Sequence, residues 1–144
     1  MGRRLEDALL ITTAGADHEE VRRRALESLG FSSRAEVPPL IAAAYASPDE
    51  ATRASALVAM AHSADQRWRA QVLAELPSLS PKIRLEAARA AGELELKAAV
   101  PALIEDLEDT DRDVRWVAIW ALGQIGGQPA RAALKKLLRE ADEE

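Results

Sequence analysis

Residues 111–127, with the sequence DRDVRWVAIWALGQIGG, decide the fold of this 144-residue chain. Their apolar side chains recur at the spacing of one helical stripe, at Val114, Ala118, Ile119, Leu122 and Ile125. Trp116 and Trp120 lie one turn apart on the other side of the same helix. The stretch therefore predicts an amphipathic helix that packs on one face and presents two indole rings on the other.

The pattern of this helix recurs without a gap every 31 residues. One column of the repeat contains Val21, Thr52, Ile83 and Val114. The next column contains Arg22, Arg53, Arg84 and Arg115. A unit that cannot bury its apolar stripe alone must stack on its neighbours. We therefore predict an all-α protein, a right-handed α-solenoid of about nine antiparallel helices with a 31-residue repeat.

The repeat also sets the domain organisation, which we predict as one domain over residues 1–144. A half repeat at 3–13 precedes four helix-pair units, near 17–47, 48–78, 79–110 and 111–141. The first helix of each pair begins near a residue type that caps helices well, at Asp17, Asp49, Ser80 and Asp111. Three of these helices end in glycine, at Gly30, Gly92 and Gly123. Glycine at a helix end predicts a left-handed C-terminal stop.

Composition and charge narrow the range of functions. Apolar residues make up 48% of the chain, yet Phe and Tyr occur once each, so the core must be aliphatic and rich in alanine. The net charge of −5 argues against nucleic-acid binding. Cysteine is absent, which excludes disulfides, a thiol nucleophile and cysteine metal sites. The apolar run near the N-terminus is too short for a signal peptide or a membrane span, so we expect a cytoplasmic protein without membrane contact.

Two segments carry a family resemblance, AVPALIEDLEDTD at 99–111 and VRWVAIWALGQIG at 114–126. They are similar to the HEAT-like repeats of the phycobilin (PBS) lyase type and to the wider, armadillo-like HEAT family, over residues 4–141. The resemblance implies that the helices with the Val-Arg pair line the concave side, at 17–30, 49–62, 80–93 and 111–124. It also implies a structural role for the repeated arginines, which would bond acids or carbonyls of neighbouring turns.

A concave surface of this family implies a non-catalytic scaffold that binds a protein or peptide in its groove. The candidate partner-binding residues are solvent-facing positions of the concave helices: Trp116, Trp120, Val117, Leu85, Arg89, Val58, Arg23, Arg24, Asp113 and Lys82. Exposed tryptophan beside apolar and guanidinium groups has the composition of a binding hot spot. We expect Arg89 to stack on Trp120, and we expect a partner with apolar and acidic or mixed residues.

Trp116 and Trp120 have a second interpretation, as a structural cap over the last repeat. Trp68 falls at a packed position of the repeat and is predicted to be a core residue. His18 and His62 are predicted to be surface residues instead of ligands. No spacing of side chains indicates a catalytic, cofactor or metal site.

Three other functions remain open at this point. An accessory or chaperone subunit of the bilin-lyase type follows from family analogy alone. A nucleic-acid binding module would use Arg23, Arg24, Lys82, Arg89 and Arg112, although the net charge opposes it. A spacer within a larger protein is the third. We expect a monomer, with end-to-end stacking as the alternative.

Overall fold

The computed structural model describes residues 2–15 and 17–143. Over these residues the chain forms nine α-helices and two short 3₁₀-helices, and no β-strand. The α-helices are α1 (Arg3–Gly15), α2 (Glu19–Leu29), α3 (Val37–Tyr45), α4 (Glu50–Ser63), α5 (Arg69–Glu75), α6 (Pro81–Glu93), α7 (Val100–Asp106), α8 (Arg112–Ile125) and α9 (Gln128–Asp142). The 3₁₀-helices, Gln66–Trp68 and Lys97–Ala99, directly precede α5 and α7. The predicted all-α class and helix number are confirmed.

The helices group into two compact units, within residues 1–65 and 66–144. In the first unit α1 packs on α2, and α4 packs on both α2 and α3. In the second unit α6 packs on α5 and α8, and α9 packs on α7 and α8. Within each unit the helices thus pack on their neighbours in the repeat, as the helices of an α-solenoid do. The organisation of residues 1–144 as one domain stays a prediction.

Side-chain caps begin three of the four predicted first-type helices. Asp49 Oδ2 accepts from the Thr52 amide at 3.0 Å, and Ser80 Oγ accepts from the Ile83 amide at 3.2 Å. Asp111 Oδ1 accepts from the Val114 amide at 3.1 Å. The predicted cap Asp17 is wrong, because α2 begins at Glu19 and its N-cap residue His18 makes no side-chain cap bond. Glu19 and Glu20 in the first turn of α2 still stabilise the helix through their interaction with the positive end of its dipole.

Gly30 and Gly92 allow helices to approach closely, and the left-handed stop predicted at the repeated glycines is wrong. Gly30 has a right-handed φ of −53°, and Gly92 lies within α6. A Cβ at Gly30 would lie 2.5 Å from the Ala59 carbonyl oxygen, and one at Gly92 would lie 2.6 Å from Trp120 Cζ3. Real Cβ atoms essentially never approach other atoms so closely, so an alanine at either site would force its neighbours to shift. Gly123 lies within α8 and has open space around it.

The core is aliphatic and rich in alanine, as the composition predicts. α6 alone fully buries Ile83, Ala87, Ala88, Ala90 and Ala91. In α8 the predicted Val114, Ala118 and Leu122 are buried, together with Ala121. Ile119 and Ile125 are also predicted to be buried, but both are only half-buried. Ile119 repeats Ala88, which is fully buried on α6, whereas the same position on α8 stays half-buried. Trp68 is a core residue, as predicted, with 6% of its surface exposed.

Candidate functional site

Helices α6 and α8 of the second unit form a cleft between their outer faces. Ser80 and Asp111 cap the two helices, and the close contact at Gly92 brings them together. The cleft is lined by residues one turn apart, Arg89 and Glu93 on α6 and Trp116 and Trp120 on α8, because this spacing places side chains on one face. Together with Val117 of α8 they surround a volume of about 300 Å³.

The two tryptophans of the cleft have different surroundings. Trp120 lies against Gly92, and 39% of its surface is exposed. Trp116 is 60% exposed, which is high for so large an apolar side chain. Trp120 therefore belongs partly to the α6–α8 packing, while most of the Trp116 indole is open to a ligand.

The charges of the cleft differ from the arrangement that the sequence predicts. Arg89 Nε lies 3.7 Å from Glu86 Oε2, one turn earlier on α6. The predicted stacking of Arg89 on Trp120 is not observed, whereas Phe31 stacks on His62 with ring centroids 4.0 Å apart. Glu93 is exposed, and its carboxylate has no hydrogen bond or ion pair with any residue that the structure describes. The cleft therefore presents one carboxylate that is available to a ligand.

Glu93 is the lining residue that the sequence analysis missed. It is the last residue of the predicted helix 80–93 and is soon followed by Glu95, so it resembles an acid of a solvated turn. The available signal was its spacing, because Glu93 follows Arg89 by four residues and therefore shares its face of α6.

Three other candidates of the second unit do not line this cleft. Leu85 is half-buried on α6, one turn before Arg89. Lys82 and Asp113 are exposed in the first turns of α6 and α8. Lys82 and Asp113 belong to the same helices as the cleft residues and place their charges near the cleft, but they do not form its walls.

The candidates of the first unit lie at other places. Arg24 Nη1 lies 3.0 Å from Glu27 Oε1, and Arg24 borders a cleft of about 410 Å³ between α1 and α2. Arg23 is half-buried and lines a separate cavity of about 180 Å³. Val58 is half-buried on α4 and lines neither. Four of the ten candidates therefore share one cleft, and a continuous surface of all ten stays a prediction.

The repeated arginines contact the turns beside them. Arg84 Nε and Nη2 donate to the two carboxylate oxygens of Asp109, at 2.9 and 3.0 Å, and Nη1 donates to the Ser78 carbonyl at 2.8 Å. This bidentate bond raises the pKa of Arg84 and lowers the pKa of Asp109. The other three arginines contact groups that are near them in the sequence. Arg53 Nη1 donates to the Pro48 carbonyl at 3.3 Å, and Arg115 Nη1 donates to the Asp109 carbonyl at 2.7 Å. Arg22 Nη2 lies 3.9 Å from Glu19 Oε1.

The histidines and acids do not assemble a reactive centre in the described part of the chain. His62 Nδ1 lies 2.8 Å from the Glu27 carbonyl oxygen and its ring stacks on Phe31 at 4.0 Å, while His18 is exposed before α2. No group of three His, Cys, Asp or Glu residues within 2–15 and 17–143 could hold a metal ion. No described helix is both long and apolar enough to span a membrane.

Comparison with known families decides the classification. The family model described as HEAT repeats matches residues 69–144, slightly more than half of the chain. The chain belongs to the HEAT-repeat family. The match covers α5 to α9, and therefore the whole α6–α8 cleft. HEAT repeats are generally protein-interaction scaffolds and are typically non-catalytic. A search of curated proteins found no match.

Proposed function

We propose that this HEAT-repeat chain is a non-catalytic scaffold that binds a protein or peptide in the α6–α8 cleft. The observation that carries the proposal is Trp116, which is 60% exposed at the wall of a cleft of about 300 Å³. Tryptophan is among the residues that dominate interface energies, especially where neighbouring contacts exclude water. Val117 and Trp120 supply such neighbours here.

The family supports the same class of function, because stacked helical repeats create extended binding surfaces. The cytoplasmic location, the monomeric state and the phycobilin-lyase type of the repeats are further parts of this proposal and rest on the sequence. A bilin-lyase accessory role, nucleic-acid binding and a spacer role have no specific contact in their favour. We therefore propose peptide or protein binding alone.

A selection from a displayed random-peptide library tests the proposal directly. Peptides that bind the wild-type chain are measured again on Trp116→Ala. Loss of a hot-spot tryptophan costs about 2 kcal/mol or more, so we expect the Kd to rise by about thirtyfold or more. Circular dichroism should stay unchanged, since Trp116 is largely exposed.

Leu79→Ala is the matched control, because Leu79 is an apolar side chain of the same unit with 98% of its surface exposed, outside the cleft. The control should bind the selected peptides like the wild type. Selected peptides that bind Trp116→Ala as tightly as the wild type would rule out this cleft as the binding site.

A further inference from the structure

The α6–α8 cleft combines two indole rings with a carboxylate, and this combination selects for positive charge. We propose that the cleft binds a basic side chain, lysine or arginine, of the partner peptide, with Glu93 as its anionic contact. The inference rests on the proposed function, and it names the chemistry of the partner at that site.

The aromatic walls of the cleft give the first reason. The face of an indole ring carries the negative part of the ring quadrupole, and a cation over this face is attracted to it. Trp116 and Trp120 both line the cleft, and Trp116 is the more exposed of the two. A carboxylate is repelled by the ring faces, whereas an ammonium or guanidinium group is attracted to each ring face that it contacts.

The carboxylate of Glu93 gives the second reason. It lines the same cleft, it is exposed, and none of the described residues binds it by a hydrogen bond or ion pair. The alkyl stem of a lysine or arginine packs well on apolar walls while its charged end reaches a polar group at the rim. Val117 and the indole rings provide such walls, and Glu93 provides the polar group.

Arg89 also lines the cleft, and its charge would repel a basic ligand if it were unpaired. Its Nε lies 3.7 Å from Glu86 Oε2, so a carboxylate of the same helix offsets this charge. The exposed or half-buried charges of α6 and α8 around the cleft are three cations, Lys82, Arg89 and Arg112, and three carboxylates, Glu86, Glu93 and Asp113. The charges therefore balance, and the basic ligand is inferred from Glu93, the lining carboxylate without a partner among the described residues. The partner with apolar and acidic or mixed residues that the sequence predicts is revised accordingly.

The size of the cleft limits how much of the partner it can hold. A volume of about 300 Å³ is at the small end of the range for ligand pockets. Such a volume suits one long side chain with its adjoining backbone. We therefore expect the specificity to lie in a single basic position of an otherwise tolerant peptide.

Four blocked pentapeptides with glycine on both sides of one variable residue test the inference on the full chain. The variable residue is arginine, lysine, norleucine or glutamate. The readout is the indole N–H resonance of each tryptophan in a ¹⁵N-labelled protein, titrated into the millimolar range. Trp116 and Trp120 are expected to shift with the arginine and lysine peptides, and buried Trp68 serves as the internal control.

Glu93→Gln separates the role of the carboxylate from the role of the rings. The variant should bind the arginine and lysine peptides with an affinity about three- to tenfold lower than that of the wild type, and its affinity for the norleucine peptide should stay unchanged. Glu108→Gln is the matched control, because Glu108 is an exposed acid of the same unit outside the cleft. It should bind all four peptides like the wild type.

Each contrary result overturns the inference in a recognisable way. Equal affinity for norleucine and arginine, or no effect of Glu93→Gln, would leave an apolar site without charge selection. Tighter binding of the glutamate peptide would restore the acidic partner. Resonances of Trp116 that shift on dilution without peptide would mean that a second copy occupies the cleft. No shift with any peptide would also reject the basic ligand, while the library selection would still decide the proposed function independently.

Discussion

Asp106 is the buried acid at the end of α7, with 8% of its surface exposed. Its Oδ2 atom has no hydrogen-bond partner among the described residues. Burial raises the pKa of Asp106 from 3.8 to about 6, and nearby Asp109 adds to the rise, while Arg84 opposes it. A raised pKa means that the folded state prefers the protonated acid. This stabilisation is complete below about pH 3.8 and is lost as the pH rises through about 6.

Asp106→Asn is therefore expected to stabilise the protein near neutral pH, because it removes a buried charge. A pKa difference of about two units corresponds to about 3 kcal/mol, which is the upper limit of the gain in the free energy of unfolding. Urea unfolding of the variant and the wild type measures the gain at about pH 7 and about pH 4. The gain should fall toward zero at the lower pH, where the wild-type acid is protonated.

The exposed acid Glu108, two residues along, is the control for this prediction, and Glu108→Gln should change stability little at either pH. A variant Asp106→Asn that is less stable than the wild type at neutral pH would show that the ionised carboxylate is favoured by Arg84 more than it is disfavoured by burial.

At the scale of helices, the contact between α6 and α8 depends on glycine at one position of the repeat. Gly92 and Gly123 occupy the same position in consecutive copies. An added Cβ would meet Trp120 Cζ3 at 2.6 Å and Ala121 Cα at 3.0 Å from Gly92, and nothing within 4 Å from Gly123. Both glycines lie inside their helices, where alanine is intrinsically preferred by about 1 kcal/mol. The two sites therefore separate helix propensity from helix packing.

We expect Gly92→Ala to destabilise the protein by about 1–3 kcal/mol, because overpacking outweighs the helix propensity. Gly123→Ala is the matched control and should stabilise by up to about 1 kcal/mol. Chemical unfolding measures both. In the double variant Gly92→Ala with Trp120→Ala the ring is gone, so the two effects should be less than additive. Equal effects of alanine at both glycines would contradict the close approach of the helices.

At the scale of the whole molecule, the sequence predicts what repeats and misses what depends on one neighbour. The helix number and three of the caps could be predicted because the same pattern recurs in each copy. The glycine conformation could not, because a left-handed stop and a close helix contact demand the same residue type. The partner of Arg89 was misjudged for a similar reason: Glu86 at a spacing of three and Trp120 on the next helix are both within reach of one side chain. The half-burial of Ile119 could not be predicted either, because the same position in the preceding copy, Ala88, is fully buried.

The distribution of buried residues along each unit predicts how the molecule opens. In the first unit α1 has no buried residue, whereas α4 has seven. In the second unit α9 buries Ala130 alone, whereas α6 buries six residues. Local opening needs less free energy where few apolar contacts must break. The terminal helix of each unit should therefore open without the rest of that unit.

Native-state hydrogen exchange measures this difference for each amide. We expect the amides of α1 and α9 to exchange faster than those of α4 and α6, by roughly a hundredfold or more, because the inner helices open only near global unfolding. Within a unit this comparison uses one protein under one condition, so intrinsic exchange rates are the only correction. Protection of α1 equal to that of α4 would mean that α1 is held by its half-buried contacts with α2 as firmly as a core helix.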